Sequence, residues 1–87
     1  MKLKYNFVVR NVAGQAVALA VGGDNKKFNG MIKLNSVGEY IFRLLENDIS
    51  EDEIVSKLTQ DYDVSAEDAR TALRDFLETL KASDILE

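Results

Sequence analysis

The sequence contains no cysteine, no histidine and no proline. Without cysteine there is no disulfide framework and no thiolate chemistry. Without histidine, the commonest general base and the commonest metal ligand are both missing. With no proline, low-complexity tract or internal repeat to mark a boundary, residues 1–87 read as one domain. No apolar run approaches the ~20 residues that span a bilayer. Lys2 and Lys4 look like the charged start of a signal peptide, but Arg10, Asn11 and Gln15 interrupt the apolar stretch that must follow. These absences leave the cytoplasm as the expected location, with no membrane partner.

What remains is a soluble globular composition, 46% hydrophobic and 30% charged. A chain this short buries roughly 60–70% of its unfolded surface, enough for one modest core. The net charge of −4 is unevenly spread. Residues 1–35 hold six Lys and Arg against one acid, Asp24, and the remainder holds five against fourteen, so the two parts carry +5 and −9. Such asymmetry marks either an interaction surface or a solvated face.

Two periods divide the chain. Phe7–Val12 is rich in β-branched and aromatic residues, Ala13-Gly14-Gln15 reads as a turn, and Ala16–Val21 alternates small with large side chains. Gly22–Lys27 is a loop, and Phe28–Leu34 a third strand with Phe28, Gly30, Ile32 and Leu34 on one face and Asn29, Met31 and Lys33 on the other. Short connections predict an antiparallel meander. From Ser36 the period becomes helical. Capping boxes are expected at Ser36/Glu39, Ser50/Glu53 and, with a shorter acid, Ser65/Asp68, and Ile49 and Ile54 stand at staple positions. The last stripe runs Ala69, Ala72, Leu73, Phe76, Leu77, Leu80, and the terminal Ile85-Leu86 pair is expected to fold back. The fold class is therefore α+β, a three-stranded antiparallel meander followed by three helices.

The residues supply little for catalysis. Gly22-Gly23 is not followed by the Lys-Ser or Lys-Thr of a phosphate loop, and no nucleophile has a base. Glu51-Asp52-Glu53 is best read as three acids complementing a helix dipole rather than a metal site. Ser36 at a helix start invites comparison with a carrier protein, but Asn35 replaces the aspartate expected before it, and a plain N-cap explains the serine. The sequence implies a non-enzyme with no cofactor. The second and third helices also sketch a winged helix for nucleic acid. Residues 50–82, however, carry Lys57, Arg70, Arg74 and Lys81 against nine acids, and a recognition unit of net −5 repels phosphate.

Phe28-Asn29-Gly30-Met31-Ile32-Lys33-Leu34-Asn35, then Gly38, Ile41, Leu44 and Leu45, then Glu53-Ile54, Leu58, Tyr62-Asp63-Val64, Phe76-Leu77 and Leu80 resemble the pattern of PqqD-like proteins over nearly the whole chain. Ser83-Asp84 stands where that family often has glycine before its last apolar pair. The resemblance implies a winged-helix-like domain that binds no DNA. It implies recognition of the leader segment of a ribosomally made precursor peptide, presented to a maturation enzyme, often a radical S-adenosylmethionine protein. In such domains the leader adds as a strand beside the third strand and lies against the third helix.

On that expectation the contacts are Lys27, Phe28, Asn29, Met31, Ile32, Lys33 and Leu34 from the strand, and Ala66, Arg70, Leu73, Arg74 and Leu77 from the third helix. At 100° per residue Arg70, Arg74 and Lys81 share one rim of that helix, and Asp68 and Asp75 the other. A basic rim turned to the third strand, with Lys33 opposite and Leu73 and Leu77 as floor, predicts an acidic leader; Leu73 also reads as ordinary core. Strand hydrogen bonds of about 0.5–1.5 kcal/mol each and anchored apolar side chains of about 1.5–3 kcal/mol each, less the cost of ordering the guest, give roughly micromolar binding. The chain is expected to be a monomer, or a weak dimer through the third-strand edge.

Overall fold

β-Branched and aromatic residues build β1 (Phe7–Val12), which turns tightly into β2 (Gln15–Ala20). The turn has two residues rather than three: Ala13 (φ 52°) and Gly14 (φ 82°) both lie in the left-handed region, as a type I′ hairpin requires. A short 3₁₀ turn at Gly22–Lys26 leads toward β3 (Met31–Leu34). The computed structural model describes residues 1–26 and 30–87. The expected strand residues Phe28 and Asn29, with Lys27, lie outside the described residues. The sheet is antiparallel in the order β1-β2-β3.

Three helices follow, α1 (Ser36–Leu44), α2 (Glu51–Asp61) and α3 (Ala66–Ala82). The cap of α1 differs from expectation by one residue. Asn35, not Ser36, is extended, and its side-chain oxygen accepts the Gly38 N–H at 2.7 Å. Asparagine caps as well as serine, so the helix begins one residue earlier than the capping-box pattern suggests. At α2 the Ser50/Glu53 box is complete. At α3 the Ser65 hydroxyl accepts from Asp68 N–H. The core gathers Ile41, Phe42 and Leu45 of α1, Ile54 and Leu58 of α2, and Leu73 and Leu80 of α3, against Ala18 and Leu34 of the sheet. Phe7 meets Phe42 edge-on, with centroids 5.3 Å apart.

The end folds back as expected, by a means that explains its sequence. Asp84 takes φ 55°, its N–H bonds to Lys81 C=O, and Ile85 N–H bonds to Leu80 C=O. This is the paired hydrogen bonding that closes a helix through a left-handed residue, usually glycine. Aspartate tolerates that conformation better than most residues. Its carboxylate also accepts from Lys4 Nζ at 3.1 Å. Ile85 is thereby buried, and Leu86 bridges to Leu3.

Tyr40 ties α1 to α2: its hydroxyl donates to Lys57 C=O at 3.2 Å and to the Asp61 carboxylate. Partial burial, reinforced by that hydrogen bond and by the Asp61 charge, pushes its pKa up from 10.0 to about 12. The folded state thus holds the neutral phenol more firmly than the unfolded chain does. Its contribution is complete below pH 10 and is lost as pH rises toward 12. In denaturant titrations of wild type and Tyr40→Phe, the stability gap is expected to shrink steadily above pH 10. A gap that stays constant to pH 12 would show that the phenol is not held neutral.

Candidate functional site

β3 is one of two outer strands, and the edge it leaves unpaired among the described residues can be assigned residue by residue. In a two-residue hairpin the flanking pair, here Val12 and Gln15, exchanges the narrow hydrogen bonds. Alternation then turns Ala16 and Ala18 of β2 toward β3, where their partners are Leu34 and Ile32. Leu34 and Ile32 therefore point their backbone groups inward. Met31 and Lys33 point theirs outward, leaving two N–H and two C=O groups on the edge. Side chains follow the other alternation: Leu34 is buried and Ile32 half-buried on the helix face, while Met31 and Lys33 stand exposed on the far face.

Beyond Asn35, where β3 passes into α1, a cleft of about 390 Å³ opens between α1 and α3. Val37 and Ile41 form its α1 side, and Ala72, Asp75, Phe76 and Thr79 its α3 side. A smaller, almost wholly apolar notch of about 80 Å³ continues from it past Val37 and Ala72 to Leu58, Tyr62, Val64, Asp68 and Ala69. Gly38 sets the width of the cleft. A Cβ there would sit 3.1 Å from both the Phe76 ring and the capping oxygen of Asn35, so the missing side chain lets Phe76 close against α1.

The basic rim of α3 turns toward α2 and not toward this cleft. Arg70 pairs with Glu51 at 3.0 Å and Asp52 at 2.9 Å, and Arg74 Nε donates to Glu51 at 2.9 Å. Both arginines lie about 160° around the helix from Ala72. The Arg74 guanidinium, by hydrogen bond and then by charge, lowers the Glu51 pKa. These acids at the start of α2 thus serve two ends, complementing the dipole and holding α3. Leu73 is fully buried, as its reading as ordinary core implies, and Leu77 is nearly so, both in the core cluster. Ala66 is exposed at the first turn of α3. Of the twelve expected contacts, Met31, Ile32, Lys33 and Leu34 sit at the edge. Lys27, Phe28 and Asn29 lie outside the described residues.

Sequence reasoning missed Val37, Ala72, Asp75, Phe76 and Thr79 as cleft residues. Phe76 and Ala72 belong to the apolar stripe, and the period alone does not separate its buried centre from its half-open margin. The signal that could have found Phe76 is Gly38, a glycine inside an amphipathic helix that asks what approaches it. Among the described residues no cluster of His, Cys, Asp or Glu could hold a metal ion, and no helix is long and apolar enough to cross a membrane.

Comparison with curated proteins returned no match. Among solved structures, the one described as TbiB1 in complex with the TbiA(beta) leader peptide is similar over 100% of this chain and 95% of its own, with 29% identity and a TM-score of 0.77. Residues 15–86, which include β2, β3 and all three helices, match the family described as Coenzyme PQQ synthesis protein D (PqqD), and the chain belongs to that family.

Proposed function

We propose that this protein binds the leader segment of a ribosomally synthesised precursor peptide as an added strand on β3, does no chemistry itself, and presents the peptide to a maturation enzyme in the cytoplasm. One observation carries this reading: β3, whose outer edge is unpaired among the described residues, runs through Asn35 into an open cleft between α1 and α3. An extended guest could pair with that edge and drop alternate side chains toward the cleft, as strand addition requires. The similar structure, TbiB1, is a complex with a leader peptide. A radical S-adenosylmethionine protein is the proposed enzyme class. A nucleic-acid reading would need free cations on α3, whereas Arg70 and Arg74 are engaged by Glu51 and Asp52.

The test is titration of the isotope-labelled protein with a synthetic leader peptide encoded beside its gene. Amide shifts are expected at Met31, Lys33, Val37, Ala72 and Phe76, with roughly micromolar affinity. Shifts confined to the Glu51, Arg70 and Arg74 side would place the guest elsewhere and defeat the proposal.

A further inference from the structure

We propose that the peptide taken by this edge carries its charge in two separate rows, cations among apolar side chains on the row facing α3, and carboxylates on the row facing outward beside Met31 and Lys33. This rests on the strand-addition reading above and refines the acidic leader that the sequence suggested.

The alternation of a β-strand forces the two rows. Guest residues opposite Ile32 and Leu34 share their face and look toward the helices, and those opposite Met31 and Lys33 share the other. The α3 wall facing the first row is acidic. Asp68, Ala72, Asp75 and Thr79 recur at i, i+4, i+7 and i+11, a stripe about 60° wide, with the two carboxylates about 10 Å apart along the axis. Both aspartates are exposed, and neither carboxylate has an ion pair among the described residues. Between them the wall is Ala72 and the Phe76 ring, over which the methylene stem of a lysine or arginine can lie with its head group at Asp75.

The outward row meets the opposite sign. Lys33 stands across from Val17, and Val17 across from Arg10, so one line across the outer sheet face carries two cations flanking an apolar residue. Neither cation has an ion pair among the described residues. A guest residue opposite Lys33 would have its Cα about 5.5 Å away on the same face, where a carboxylate is favoured and a cation repelled.

Selection from a displayed library of short random peptides against the whole protein tests this without knowing the natural leader. Enriched sequences should alternate, with Lys, Arg and apolar residues in one register and Asp, Glu and apolar residues in the other. Against Lys33→Glu the carboxylate preference of the outward row should vanish, and against Asp75→Lys the cation preference of the inward row. Each change should weaken the wild-type consensus peptide by about two- to fivefold. Alternating apolar binders without charge rows, or with acids in both, would overturn the charge code and leave strand addition standing. A library that yields no binder would sink both.

Discussion

Replacing Phe42 with alanine is expected to lower the unfolding free energy by about 3–5 kcal/mol. Phe42 is fully buried, in the last turn of α1, and its ring makes an edge-to-face contact with Phe7 of β1. Its removal therefore opens a cavity where the helical layer meets the sheet. A chain of this size holds about 4–13 kcal/mol in total, so the loss takes at least about a quarter of it. The melting temperature should fall by at least about 12 °C. Denaturant unfolding measures the change directly. Met31→Ala is the control: Met31 is 58% exposed, and its replacement should stay within about 0.5 kcal/mol. A loss below about 1 kcal/mol at Phe42 would mean that the sheet does not pack on α1 as described. Leu73→Ala belongs to the same class, at about 2–5 kcal/mol, because Leu73 is core and not the floor of a groove.

Arg70 and Arg74 show where sequence reasoning stops. Period-two and period-3.6 patterns located the three strands and three helices, because each of these must bury one face and the pattern records which. β1 fell at Phe7–Val12 as expected, and the Ser50 box formed as written. A helical wheel correctly grouped Arg70 with Arg74, but it says nothing about which neighbour a rim meets. That depends on how α2 crosses α3, a tertiary choice that places Glu51 against both arginines. The N-terminal segment was illegible for a different reason. Leu3 is a single apolar residue between two lysines, too short for any period. Its burial comes from backbone bonds to Leu45 C=O and a bridge to Leu86, partners more than forty residues away. Asp84 departs from the family's glycine, and the structure gives the reason in the left-handed turn and the pairing with Lys4. The edge itself was readable, since a three-stranded meander leaves its last strand with one side open.

Lys33→Pro should weaken peptide binding at least tenfold while leaving the fold intact, whereas Ile32→Pro should damage the fold first. The hairpin register sets the Lys33 N–H on the free edge, where no ladder bond forms among the described residues. Proline is tolerated on edge strands in this orientation and favours an extended residue before it, which Ile32 already is. The stability cost should be below about 1 kcal/mol, the level of an ordinary surface substitution that disturbs no buried bond. The guest, however, loses its hydrogen bond to that N–H and meets the ring where its own backbone must lie. One lost bond at about 0.5–1.5 kcal/mol together with the steric block gives at least a tenfold weakening. Ile32 N–H points at Ala18 instead, so proline there removes a bond inside the sheet and should cost about 1–3 kcal/mol. Lys33→Ala separates backbone from charge, since it keeps the N–H and should weaken binding only about two- to fivefold. Calorimetry of the four proteins with one peptide is sufficient. Wild-type affinity in Lys33→Pro would mean that the guest does not pair with β3, however well the cleft receives its side chains.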